Sequence, residues 1–229
     1  MHIPDGFIDA GVSAAAGAVA VVGIGYSLKK AKDTMDEKQA PMAGLVAAFI
    51  FAVQMLNFPV AAGTSGHLLG GALAAILVGP YAGAICVAVV LMVQSLFADG
   101  GLTALGLNII NMSLITAYGG YAIFVFLRRA LPKTRGGVVI AAGIASMISV
   151  VLASLGFTLE YALGGTGTAS VGTVAAAMVG VHFLIGIGEG IITALTIGVV
   201  MNVRPDLVYG ARDLLPQLEV RGDTVKVGS

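Results

Sequence analysis

Seven apolar runs, almost free of charge, restrict this chain to one kind of solvent. They lie at about 7–28, 41–57, 67–78, 81–97, 106–127, 136–162 and 172–201. About 20 consecutive apolar residues span a bilayer core as a helix. Lipid offers no partner to an unpaired backbone N–H or C=O, so a helix that pairs its own is the natural spanning element. Only 10% of the 229 residues are charged and 58% are hydrophobic, whereas soluble domains carry about 25% charged residues. The 33 glycines suit close helix packing in lipid. Twelve acidic residues balance twelve basic ones, which removes the basic footprint of a nucleic-acid binder. One Cys excludes an internal disulfide and a Cys-based zinc or iron–sulfur site. The expected fold class is all-α: a polytopic membrane bundle of about seven transmembrane helices.

The bases set the direction of the chain. They fall in three clusters: Lys29, Lys30, Lys32 and Lys38; Arg128, Arg129, Lys133 and Arg135; Arg204, Arg212, Arg221 and Lys226. The positive-inside rule places all three in the cytoplasm, so an even number of spans separates successive clusters. That parity holds only if the chain turns at Gly79-Pro80, splitting what would otherwise be one long helix. The N-terminus is then outside and the C-terminus inside. Met1-His2-Ile3-Pro4-Asp5-Gly6 has no basic n-region, so the first run reads as a retained span and Met1 as the mature terminus. The stretch from Asn202, with Pro205 and Pro216, reads as a polar cytosolic extension. The expected domains are 1–201 and 202–229, in a multi-pass protein of the cell membrane.

Polar residues gather on the outer side. The outer segments, about 1–6, 58–66, 98–105 and 163–171, contain Asp5 and Asp99 but no Lys or Arg, so they do not repel a bare cation. Gln54, Asn57, Gln94, Asn108 and Asn111 lie near the outer ends of their runs, and Thr64, Ser65 and His67 sit in a glycine-rich turn. Polar groups in lipid usually face the bundle interior, and this distribution predicts a site open to the outside. Glu160-Tyr161 is expected at the outer end of the sixth run, with Tyr as an interfacial anchor.

His2 carries the sharpest chemistry. A free terminus followed by His offers three nitrogens in sequence: the Met1 amine, the His2 amide nitrogen once deprotonated, and His2 Nδ1. They close fused five- and six-membered chelate rings and leave one square-planar position open, a geometry that favours Ni(II) or Cu(II). His67 and His182 are the other imidazoles, and His67 is on the outer side with residue 2. The plainer readings are an exposed terminal His2 and a hydrogen-bonded His67 capping the third run. His182 and Glu189, seven apart on one helix face, read as an ion relay or as structural hydrogen-bonding groups. Such a site is expected to lose metal on acidification through roughly pH 6–7, near the reference imidazole pKa.

The opening Met1-His2-Ile3-Pro4-Asp5-Gly6 resembles the signature of the nickel/cobalt substrate-binding components of energy-coupling factor (ECF) transporters, the NikM/CbiM family. So do the stretches Ala48 to Val60, Thr64 to Gly71, and Gly106-Leu107-Asn108-Ile109-Ile110-Asn111-Met112. These cover most of 1–130, while 131–201 match mainly in hydrophobic pattern. The resemblance implies seven helices with the N-terminal segment inserted among them. It implies a square-planar metal held by the Met1 amine, the His2 backbone and side chain, and His67, with Ni2+ or Co2+ as the bound substrate. It also implies partners: a transmembrane coupling subunit, two cytosolic ATPases and often a small extra membrane subunit. Ala43/Ala47, at the inner end of the second run, is the candidate small-residue face for the coupling subunit. No Walker A sequence is present, so ATP-driven transport needs those partners, and no enzymatic activity is expected. Two alternatives remain at this level: a proton-coupled secondary metal transporter using His182 and Glu189, and a rhomboid-like serine protease built on Gly63-Thr64-Ser65-Gly66 with His182 as base.

Overall fold

The computed structural model describes residues 1–35, 39–56, 58–59 and 65–214. Lys38, Asn57, Gly63, Thr64 and the stretch 215–229, with Pro216, Arg221 and Lys226, lie outside the described residues.

Each apolar run contains a helix. We label them α1 (Ala10–Thr34), α2 (Gln39–Gln54), α3 (Gly71–Val78), α4 (Pro80–Leu96), α5 (Leu105–Ala130), α6 (Arg135–Gly164) and α7 (Val171–Val203). A two-residue antiparallel pair, β1 (Phe58–Pro59) with β2 (Ser65–Gly66), precedes α3. α1, α5, α6 and α7 are long and apolar enough to cross a membrane, whereas α2 and α4 are shorter apolar helices.

The third span differs from expectation. α3 has only 8 residues, about 12 Å at 1.5 Å per residue, and begins at Gly71 rather than at 67. Residues 67–70 before it are irregular. Irregular backbone at membrane depth is tolerated where protein surrounds it, and His67 and Leu69 are both fully buried. Gly71 is required by close approach, because a Cβ there would overlap the Thr116 side chain of α5.

Local signals explain the other boundaries. Side chains of Asp9, Thr134 and Ser170 cap α1, α6 and α7 by accepting backbone N–H bonds from Val12, Gly137 and Thr173, each satisfying an orphan donor of a first turn. The turn at Gly79-Pro80 is present. Gly79 has φ +92°, a left-handed conformation that favours glycine, and Pro80 opens α4. α3 and α4 then pack closely, a Cβ on Gly83 lying 2.6 Å from the Ala75 nitrogen. Gly186 and Gly190 do the same between α7 and α6, where added Cβ atoms would stand 2.9 and 2.8 Å from the Met147 and Gly143 carbonyl oxygens. Small residues permit this approach, and dispersion rather than hydrophobic burial drives association in lipid.

Within α5, Ile110–Gly119 is a π-helical segment. It starts beside Asn108 and Asn111, and such segments often mark functional sites. Ala43 and Ala47 are half-buried against the core, and the Cys86 thiol approaches the Ala43 carbonyl at 3.4 Å. The outward face of α2 instead presents Ala40, Gly44, Ala48 and Ala52. Past α7, Pro205–Leu207 and Tyr209–Leu214 form 3-10 turns that return to the bundle. Val208 and Ala211 are buried, and Tyr209 packs against Gly79. The Gly79-Pro80 turn and the C-terminal turns therefore share one end of the molecule.

Candidate metal centre

The N-terminal segment runs into the bundle. Met1 and Ile3 are fully buried and His2 is 5% exposed. Long-range bonds fix this segment. The Ile3 N–H donates to Asn108 Oδ1 at 2.8 Å, and Asn108 Nδ2 donates back to the Ile3 carbonyl at 3.2 Å. The Gly101 N–H donates to that same carbonyl at 2.9 Å. Asp5 Oδ1 accepts the Thr103 N–H at 2.7 Å and its hydroxyl at 2.5 Å, which holds the Asp5 carboxyl below its usual range. Farther along, the Thr166 hydroxyl donates to the Gly6 carbonyl at 2.7 Å, and the Asp9 N–H to Gly164 O at 2.7 Å. Gly101 leaves room for this path, since a Cβ there would overlap the Asp5 backbone.

The insertion brings His2 against His67, with ring centroids 4.5 Å apart and planes inclined by 28°. Hydrogen bonding then sets the His67 tautomer. His67 Nδ1 lies 2.7 Å from the Leu68 carbonyl oxygen. A carbonyl only accepts, so Nδ1 carries the proton and Nε2 keeps a lone pair. That Nε2 is buried, with no hydrogen-bond partner among the described residues. His2 Nε2 lies 3.6 Å from Asp99 Oδ2. That separation is beyond hydrogen-bonding reach, and His2 Nε2, like His67 Nε2, is buried with no hydrogen-bond partner among the described residues.

His182 joins this neighbourhood, which its sequence position in α7 did not indicate. Its Nδ1 donates to the Met178 carbonyl at 2.7 Å, and its buried Nε2 has no hydrogen-bond partner among the described residues. It lies within electrostatic reach of the Met1 amine and of His67. Even so, no three His, Cys, Asp or Glu side chains converge as a metal site among the described residues. A complete donor set here requires main-chain nitrogens.

Burial prepares the terminal nitrogens, which lie outside the spanning helices. Desolvation lowers the Met1 amine from 8.0 to about 4, against an opposing pull from Asp99. Desolvation and then the adjacent amine lower the His2 ring from 6.5 to about 3. Both nitrogens are neutral at physiological pH, the form a metal requires.

The expected ring of polar residues works differently from a ligand shell. Asn108 clamps Ile3, as described. Gln54 Nε2 donates to the Leu69 carbonyl at 2.6 Å, and Glu189 accepts the Leu69 and Gly70 N–H groups at 2.5 and 3.0 Å. Ser146 also donates to Glu189, at 3.2 Å. Gln54 and Glu189 thus hold the chain just after His67. Asn111 instead donates to Glu160 at 2.5 Å. Glu160 and Tyr161, expected at the interface, are both buried, and the Tyr161 hydroxyl donates to the Ala169 carbonyl at 3.0 Å. Gln94 is buried with neither side-chain polar atom hydrogen-bonded among the described residues. The signal missed in the sequence was that backbone on either side of a candidate ligand needs its own buried partners.

A lipid-embedded helical bundle with an inserted N-terminus and neutral, lone-pair-bearing nitrogens defines a class: multi-pass membrane proteins that handle a transition-metal ion. Residues 2–207 match the CbiM family, described as the cobalt uptake substrate-specific transmembrane region. The chain belongs to that family and is a membrane metal-transport component rather than an enzyme. It is 40% identical over 215 residues to a putative fused nickel transport protein NikMN of Archaeoglobus fulgidus, covering 91% of this chain and 68% of that one. It is 34% identical to the cobalt transport protein CbiM of Sorangium cellulosum, covering 91% and 94%. A crystal structure of a transition metal transporter superposes with TM-score 0.82 at 30% identity, covering 89% of this chain and 93% of that one. A truncated transition metal transporter superposes with TM-score 0.80, also at 30% identity.

Proposed function

We propose that the chain captures Ni2+, with Co2+ as the alternative, from the outer side of the membrane as the substrate-specificity subunit of an ATP-driven ECF uptake system. The Met1 amine, the ionised His2 amide, His2 Nδ1 and His67 Nε2 are the four donors. The observation that carries this reading is the stacked, buried His2–His67 pair at the inserted terminus, with a His67 tautomer that leaves its Nε2 unprotonated. Four nitrogens with one ionised amide suit square-planar Ni(II). The names of relatives, one a nickel and one a cobalt transport protein, agree with this choice of ions. Residues 1–201 form the metal-binding domain in this reading, and 202–229 extend it on the cytoplasmic side. A coupling subunit and two ATPases, with a small additional membrane subunit in some assemblies, supply the ATP-driven step.

The test concerns the amine. A chain with any residue before Met1, or with an acylated Met1, loses the basic lone pair and moves His2 from position two, so high-affinity nickel binding is abolished. A C-terminally tagged chain, purified in parallel, retains about one nickel per protein and the yellow, diamagnetic signature of a square-planar nitrogen site. Equal nickel in both preparations overturns the chelate.

A further inference from the structure

At the end of the bundle opposite the metal centre, the last turns of α5 and the turns of 205–214 enclose a cavity of about 330 Å3. Its rim holds four bases, Arg128, Arg129, Lys133 and Arg212, against one acid, Asp213. Asp213 is engaged by Arg128, at 3.0 Å from Nη2, and Arg128 also donates to the Pro132 carbonyl at 3.2 Å. Arg212 stands over the Tyr209 ring, 4.6 Å from its centroid. Among the described residues, Arg129 and Lys133 enter no ion pair, and both are exposed. The cavity therefore carries an excess of positive charge.

Its floor has a different character. Tyr121, Phe124 and Val125 line it from α5, and the adjacent Phe126, 68% exposed, faces outward at the same level. The cavity thus has an apolar side contributed by a spanning helix and a cationic side where that helix leaves the hydrocarbon. By the positive-inside rule this is the cytoplasmic leaflet, whose anionic lipids attract basic groups.

We propose that this cavity binds the phosphate head group of an anionic phospholipid, whose acyl chains run along the apolar face of α5. The recognised chemistry is a phosphate ester anion. A free phosphate ion meets the same bases but leaves the apolar side without a partner.

The experiment uses the full C-terminally tagged chain in mild detergent, with phosphatidylglycerol and phosphatidylcholine of equal chain length as probes and native mass spectrometry as the readout. Phosphatidylglycerol is retained in preference. Arg129→Gln lowers its affinity about fivefold, and Arg129→Gln with Lys133→Gln about 25-fold, at about fivefold per surface charge. Both positions are exposed and Arg128 keeps its ion pair, so melting temperature and nickel content stay at the parent values and report an intact fold. A Lys29→Gln, Lys32→Gln control removes two exposed bases from the same membrane side and leaves retention unchanged. An equal loss in that control reduces the effect to diffuse surface charge and overturns the site. Displacement of phosphatidylglycerol by millimolar inorganic phosphate assigns the cavity to the free ion and overturns the lipid reading. Equal retention of the two lipids does so as well.

Discussion

At the scale of single residues, the proposed chelate leaves its fourth position to one of two imidazoles. His67 stacks on His2 at 4.5 Å, whereas His182 lies within electrostatic reach of the amine and of His67. His67→Ala is expected to lose most bound nickel and His182→Ala to retain most of it, measured as metal per folded protein. A reversed pattern would make His182 the ligand. Protonation supplies a second prediction. The amine titrates at about 4 and the His2 ring at about 3, both lowered, so between about pH 5 and 7 they are already neutral and do not compete with the metal. The proton still released on binding is the amide's, which gives about a tenfold change in nickel Kd per pH unit. Competition steepens only as pH falls through about 4. This moves acid loss below the pH 6–7 window expected from reference values. Nickel titrations at three pH values check it, and a change of a hundredfold or more per unit would mean that the nitrogens keep ordinary basicity.

At the scale of elements, the ligand-bearing segments are irregular pieces held by helices. The stretch 67–70 has no ladder of its own, and two of its N–H groups end on Glu189 of α7. Glu189→Gln keeps the volume, but an amide has one acceptor oxygen and turns an NH2 toward a donor. Removing such an outer partner typically costs 10- to 100-fold in metal affinity. We expect about tenfold weaker nickel binding, with a smaller loss of thermal stability. Isothermal titration and a melting curve separate the two, and unchanged affinity would detach Glu189 from the His67 segment. α3 begins late because Gly70, at φ +78°, is left-handed, a conformation that ends a right-handed ladder and leaves the backbone of 67–70 to be satisfied by Glu189 and Gln54.

At the scale of the whole molecule, the hydropathy runs and the three basic clusters define a sidedness that can be measured directly. Cysteine placed at Thr168 is expected to react with an impermeant thiol reagent on intact cells. Cysteine at Lys133 should react only after permeabilisation. Native Cys86 is buried and leaves a low background. Labelling of both positions from one side would overturn the even span count between clusters. The fold's positions were largely legible because hydrocarbon imposes the same length and charge rule on every span. The eight-residue α3 was not, because its missing half is satisfied by side chains distant in sequence.

What the sequence by itself determined is therefore local or solvent-imposed. Lipid forces apolar runs into helices, and bases mark one face of the membrane. The tertiary structure decided what depends on distant contacts. It set which imidazole meets His2, which ring nitrogen His67 leaves unprotonated, and that burial lowers the terminal amine. It also turned Asn108 and Gln54 from candidate site lining into clamps on backbone beside His2 and His67, and gave Glu189 the structural hydrogen-bonding role of its two readings. The physical reason is that a buried N–H, carbonyl or ring nitrogen must find its partner wherever the fold supplies one, and the partners of Ile3 and Leu69 lie 105 and 120 positions away along the chain.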